Sequence, residues 1–410
     1  MKHTRHGFWL EEAGAIEPMP PLDGAQRADV AVVGGGYLGL WTAWHLAEEG
    51  AEVAIVEADL CGHGPSGRNG GFVSSLWDQL PGLVSRYGTE RAVAVGSASA
   101  AAVRAIGDWC RECEVDAWYH AAPQLEVATT AAQDGAWNEV IRACRAAGVD
   151  EAVELDAARV QAVCASPVFR AGMSMRTSAT VQPARLALGL RRRLLERSVR
   201  IFEQSPVRRL TPNGVEADDG SLLAAATVLA VNSSTASFPG FRGALAVASS
   251  HIVLTEPVPE VLDELGWAGG EAVADARTLL HYFRTTKDGR IAFGWGGPID
   301  VSPTHLPVFG SRGRVHHGYG FTGNGVGPSY LGGQILAALA LDRRNELSRL
   351  ALVEPPRARF PPEPLRFVGG TAIRRALVAK DAAEDEGGRP GSVTRIVAGL
   401  PRRLGLHLPR

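Results

Sequence analysis

A strand that runs straight into glycines spaced G-x-G-x-x-G limits the fold of this chain more than any other feature. Asp29–Val33 is apolar and β-branched, the pattern of a strand buried on both faces. It leads into Gly34, Gly36 and Gly39, then into Leu40–Glu49, which has helical periodicity. Gly50 stands where a helix end favours a residue able to take positive φ. Val53–Val56 reads as a second strand. Glu57 ends it, 23 positions after Gly34, near the spacing of about 20 for an acid that binds a ribose. Gly34 permits a tight turn, Gly36 lets the backbone approach a pyrophosphate, and Gly39 lets the helix lie close on the sheet. The amides of Tyr37, Leu38, Gly39 and Leu40, with the positive end of the helix dipole, then face the phosphates.

The 410 residues are enough for two domains with substantial cores. A hydrophobic content of 45% and a net charge of -2 leave no single-sign field that would make nucleic acid or membrane the main partner. No apolar run reaches the length of a membrane span. The opening MKHTRHGFWLEEAG is charged and lacks the apolar core of a signal peptide, so a cytoplasmic location is expected. Five scattered cysteines suit a reducing compartment. Cys110 and Cys113 form a C-x-x-C within a helical pattern, with no second such pair and no His pair at metal spacing. They read as two thiols on a helix, and no metal is expected.

Cys61–Ser75 is too rich in glycine for a helix or strand, and its placement after Glu57 suits a loop that wraps a ligand. Ser66, Arg68, Asn69 and Gly70 supply its donors. Helices are expected over Thr89–Cys113, Ala132–Ala147, Asp156–Val163 and Pro183–Arg197, the last with an Arg-rich face read as solvated. Strands are expected at Gln124–Thr129, Val199–Phe202, Val207–Leu210, Thr227–Val231, His251–Glu256, His281–Arg284 and Arg290–Gly294. Gly313–Tyr319 leads into GFTGNGVGPSYLGGQILAALAL, a second strand, glycine loop and helix. The arginine-rich C-terminal stretch is expected to be solvated and partly disordered.

An NAD(P)-dependent dehydrogenase needs only the first glycine loop. Two such loops suit FAD, whose isoalloxazine needs a second seat. Gly323, Asn324, Gly325, Val326 and Gly327, at a helix N-terminus, offer donors to the pyrimidine edge, which gains negative charge on reduction. His281, Tyr282 and Arg284 alternate along one strand and are the candidates for substrate contact. Tyr282 and Arg284 share a face, where Arg284 is able to clamp a carboxylate. His281 points the other way. His251, His316 and His317 read as structural histidines.

The first block, the SGRNGG loop and the HGYGFTGNGVG loop resemble the D-amino-acid-oxidase family of FAD-dependent oxidoreductases, nearest its gamma-glutamylputrescine oxidoreductase and glycine/sarcosine oxidase branch. The resemblance covers most of residues 5–345. It implies an α/β protein with a Rossmann-like FAD-binding domain and an interleaved α+β substrate domain built on a mixed or antiparallel sheet. The expected FAD domain comprises 1–80, 182–242 and 303–345. The substrate domain comprises 81–181 and 243–302, and 346–410 form a C-terminal extension with a basic tail. The implied activity is hydride transfer from the carbon of a small amine or amino acid to flavin N5, with O2 or another acceptor reoxidising the flavin. The imine then hydrolyses. Val207 matches the strand that meets the adenine, and Thr227–Asn232 the strand and turn near the dinucleotide.

Three departures from the family pattern stand out. Ala292 and Gly327 occupy positions where sarcosine-oxidase relatives carry lysines. No cysteine follows Cys164, so non-covalent FAD is expected. Gly294 runs straight into Trp295 where the family has a further helical stretch, so the substrate domain is expected to be shortened there and to expose apolar sheet surface. The alternative function that follows is a flavin-binding protein with impaired or lost catalysis.

Overall fold

The computed structural model describes residues 7–296, 300–353 and 359–403. Two large sheets organise it. In the first, Gly24–Val33 lies between Gly220–Leu229 and Val53–Val56, parallel to both, and Arg200–Phe202 extends the sheet beyond Val53–Val56. The far half of Gly220–Leu229 pairs in parallel with Val315–Tyr319, and its near half with the Gly214–Glu216 hairpin strand. Parallel strands demand cover on both faces, and the β-branched run Val30–Val33 is buried throughout. The Tyr37–Glu48 and Val326–Ala340 helices pack side by side on this sheet and are apolar nearly all round.

The second sheet has the order Ser250–Leu254, Ile291–Gly296, His281–Thr285, Ala272–Asp275, Gln124–Val127, Gly172–Met175 and Ala152–Leu155. Only the Ala272–Asp275 and Gln124–Val127 pair is parallel, so the sheet is mixed, as expected. Leu125, Val127, Val273 and Trp267 form a core on its outward face. The inward face carries Gln124, Glu126, Tyr282 and Arg284. A small sheet of Phe72–Ser74, Ser178–Thr180 and His120–Ala121 lies against that inward face.

The Gly294–Trp295 junction falls inside one unbroken strand, Ile291–Gly296, paired with His281–Thr285 on one side and Ser250–Leu254 on the other. The apolar residues this region turns outward are thinly covered: Phe283, Ile291 and Phe293 are half-buried and Val253 is 38% exposed. Residues 297–299, which follow, lie outside the described residues.

Several local expectations are corrected. The strand expected from Val207 begins at Arg209, because its hairpin partner Gly214–Glu216 reaches no further than Arg209 in register; Val207 packs half-buried on the second core instead. The helix expected from Ala132 begins at Asn138, since Gly135 takes φ 76 and breaks the run. The arginine face of Pro183–Glu196 is not simply solvated. Arg191 is buried and paired with Glu203, and Arg185 bridges Glu12 and Asp116. The described part of the C-terminal stretch is ordered, with helices over Leu365–Asp385, Ser392–Ala398 and Leu400–Arg403. The longest docks on the second sheet: Asp381 accepts the Leu279 amide at 2.9 Å, and Asp385 pairs with Arg277 at 2.7 Å. Arg410 lies outside the described residues.

Candidate functional site

The first glycine loop is shaped by close backbone packing. A Cβ on Gly34 would stand 2.4 Å from the Ala230 carbonyl oxygen, and one on Gly39 would stand 1.9 Å from that of Gly34. A Cβ on Gly36 would meet only the Ser66 hydroxyl, at 3.0 Å. That is the close approach a pyrophosphate needs. The Tyr37 amide, first of its helix, donates to Ser66 Oγ at 2.9 Å and the Leu40 amide to the Gly36 carbonyl at 2.9 Å, so two of the four amides expected to face the phosphates are engaged within the chain. The SGRNGG loop therefore closes over the helix N-terminus. Asn69 braces it, donating to the Pro65 and Ser66 carbonyls and accepting from the Gly71 amide. Arg68 is exposed on the same loop.

Glu57 sits at the strand end, as the spacing predicts. Its carboxylate accepts from the Gly35 amide at 2.6 Å and from Asp59 at 2.9 Å. Burial nevertheless raises its pKa above the ordinary value. These contacts aim the acid across the glycine turn and leave lone pairs for a ribose diol.

Beneath the loop lies a pair that sequence reasoning missed. Glu203 is fully buried and takes two hydrogen bonds from Arg191, one from the Met19 amide and one from the Cys61 amide. Burial alone would raise its carboxyl, but these donors hold it below the ordinary value. The pair ties the lead-in, the ligand loop and the Pro183–Glu196 helix to one point.

The second glycine loop leaves Val315–Tyr319 through Gly320 and Gly323, with φ of 80 and 86, and enters its helix at Val326. Gly325 precedes that helix, and a Cβ there would find nothing closer than 3.6 Å. Asn324 donates to the Ser75 carbonyl at 3.1 Å. Buried Asp300 accepts the Gly320 and Phe321 amides at 2.6 and 3.1 Å, and burial pushes its pKa up to about 6. Gly327 has no room for the lysine of sarcosine-oxidase relatives, because a Cβ would lie 2.5 Å from the Ser74 carbonyl oxygen. Ala292 is buried against Trp9 and Ala184.

Tyr282 and Arg284 share the inward face. Tyr282 is hydrogen-bonded to Ser250 at 2.8 Å and meets the Phe72 ring edge-on. Arg284 is 2% exposed. Its Nε donates to the Gly70 carbonyl at 2.6 Å, and its other nitrogens to the Val181 and Thr285 carbonyls. Burial lowers its pKa to about 10. His281 points outward, as expected, with Nδ1 2.8 Å from Asp275. His316 lies against Ser311, and His317 stacks on Tyr319. Burial lowers the pKa of both.

The residues fit an extended dinucleotide. Both loops leave carboxyl ends of parallel strands of one sheet, with only Gly220–Leu229 between them. No helix among the described residues is long and apolar enough to cross a membrane.

Comparison with known proteins agrees with this geometry. The family model described as FAD dependent oxidoreductase (DAO) matches residues 29–295. Gamma-glutamylputrescine oxidoreductase of Escherichia coli is 25% identical over 432 positions, covering 93% of this chain and 97% of that protein. Since 432 exceeds the length of this chain, the relative carries residues that are absent here. Probable oxidoreductase OrdL of Haemophilus influenzae is 25% identical over 394 positions, covering 85% of this chain and 90% of that one. Glycine oxidase from Geobacillus kaustophilus superposes with a TM-score of 0.65 at 19% identity, over 81% of this chain and 100% of that one. L-Proline dehydrogenase from P. horikoshii gives 0.64 at 15%, over 82% and 96%. These two show a shared fold. The chain belongs to the DAO family of FAD-dependent oxidoreductases.

Proposed function

We propose that this chain binds FAD without a covalent link and oxidises the C–N bond of a small amine or amino acid, the imine then hydrolysing. The observation that carries the reading is the pair of glycine loops at the carboxyl edge of one parallel sheet, the place where open α/β sheets take extended ligands. Gly34, Gly36, Tyr37, Leu38, Gly39 and Glu57 hold the ADP half in this reading, closed over by Ser66, Arg68, Asn69 and Gly70. Val207 borders the adenine, and Gly323–Gly327 seat the ring. The bound flavin supplies hydride acceptance. The chain supplies position: Tyr282 borders the substrate, and Arg284 pins Gly70 and Val181 beside it. His281, on the other face, supports the strand. The discontinuous FAD domain, the interleaved substrate domain and a cytoplasmic location belong to the same reading, with O2 or another acceptor completing the cycle.

A second reading is a flavin-binding protein with weak catalysis. The thin cover over Val253, Phe283 and Phe293 favours it. The two separate in one experiment. Acid should release flavin from purified protein into the supernatant, and a panel of amines and amino acids should bleach the flavin anaerobically. Recovery is then followed with oxygen and with an artificial acceptor. Bleaching that appears only after the family's usual segment is inserted between Gly294 and Trp295 would select the second reading.

A further inference from the structure

The strand register sets a carboxylate beside Tyr282. Glu126, Ala274 and Tyr282 lie directly opposite one another on three adjacent strands, so all three side chains leave the same face. Gln124 opposes Ala272 one rung away, and Arg284 leaves the same face two residues beyond Tyr282. The alanines therefore floor a trough walled by Glu126 and Gln124 on one side and by Tyr282 and Arg284 on the other. Strands lie about 4.8 Å apart, so the two walls are about 10 Å apart at the backbone. The Phe72–Ser74 strand crosses this face, with Phe72 on Tyr282 and the Ser74 hydroxyl on Gln124. Its continuation carries Asp78, and Ser75 there receives Asn324 of the second glycine loop. Gln124, on the same strand face as Glu126, is thus linked through Ser74 and Ser75 to the loop of the proposed ring seat.

The charges in this trough do not balance. Burial, then the negative charges of Asp78 and of Asp275, the latter on the opposite face and paired with Arg277 at 3.0 Å, push Glu126 up to about 7. Burial raises Asp78 too, and its Oδ1 is buried with no hydrogen-bond partner among the described residues. Among the described residues no cation contributes to the shift of either acid. Arg284, the one cation these strands turn inward among the described residues, is engaged by three carbonyls. Glu126 and Asp78 are half-buried, and carboxylates withdrawn from water without a cation are costly. A ligand ammonium removes that cost, whereas a ligand carboxylate meets like charge, with Arg284 already engaged.

Resting on the reading that this site oxidises amines or amino acids, we propose that its substrate is a cationic alkylamine with no carboxylate on the reacting carbon. Glu126, backed by Asp78, receives the ammonium group and takes up its proton, so that the nitrogen lone pair is free when hydride leaves the adjacent carbon.

The test uses the flavin-loaded full chain and two probes that cannot be oxidised at a C–N bond. One is tert-butylammonium, which has no hydrogen on the carbon bearing nitrogen, and the other is acetate. Calorimetry and perturbation of the flavin spectrum read binding without turnover. The expected result is binding of tert-butylammonium and not of acetate. Glu126→Gln should weaken that binding at least about tenfold, the loss of one hydrogen bond to a charged group, with unchanged FAD content. Asp78→Asn should weaken it less. Equal affinity in wild type and Glu126→Gln, or tighter binding of acetate than of tert-butylammonium, overturns the proposal. Anaerobic reduction by ethylamine and by alanine, its carboxylated counterpart, tests the substrate class. Half-saturation at lower alanine than ethylamine overturns the inference and leaves the oxidation reading standing. If neither these two nor any other amine or amino acid of the panel reduces the flavin, the oxidation reading falls, and the two inert probes still decide the ammonium site.

Discussion

Arg191 donates from Nε and Nη2 to the two carboxylate oxygens of Glu203, each at 2.8 Å, with both side chains almost wholly buried. Glu203 in turn receives the amides of Met19 and Cys61, so one ion pair sets where the ligand loop begins. Arg191→Met should destabilise the protein by about 3–5 kcal/mol, because it leaves a buried carboxylate without its cation. Urea unfolding of the apoprotein measures this, and a loss below about 1 kcal/mol, the level of an exposed pair, would contradict it.

Glu57→Ala should weaken FAD binding and leave the chemistry of bound flavin intact. Losing a charged acceptor costs about 1.5–3 kcal/mol, roughly ten- to a hundredfold in dissociation constant. Fluorescence titration of the apoprotein with FAD reads the effect, and an unchanged constant would refute the ribose contact.

A lysine restored at position 327 should harm the protein. The Cβ of Gly327→Lys would strike the Ser74 carbonyl, and overpacking of this kind costs about 1–3 kcal/mol. Lower melting temperature and lower flavin content are expected together. A variant as stable as wild type would show that the Phe72–Ser74 strand moves freely.

Two buried groups give opposite pH responses. Folded Asp300 keeps its proton to about pH 6, against an ordinary value of 3.8. The folded state then binds more protons than the unfolded one, and this contribution is lost as pH rises from about 4 to 6. Burial lowers His317 to about 4 from 6.5, so its contribution is lost as pH falls through that range. Asp300→Asn should remove the first slope and His317→Phe the second, as read from melting temperature against pH. Identical slopes in both variants would contradict the assignments.

The fold of the glycine-loop half was legible because its determinants are local. Gly34, Gly36, Gly39 and Glu57 speak within one βαβ unit, and period-two alternation placed Tyr282 and Arg284 on one face with His281 opposite. What those faces meet depends on contacts distant in sequence: Arg284 reaches Gly70, 214 positions away. Arg191 looked solvated because its run is arginine-rich, and only the fold brings Glu203 under it. Glu126 was missed for a similar reason. Between Leu125 and Val127 it reads as the solvent side of a half-buried strand, yet this sheet is covered on both faces.

The most direct test of the account is the visible spectrum of the purified protein, followed anaerobically as a small alkylamine is added. The account predicts a flavin chromophore, releasable by acid, that bleaches with saturation and returns when an acceptor is admitted. A protein that takes up no FAD even on reconstitution, or whose bound flavin stays oxidised with every amine and amino acid offered, would contradict it.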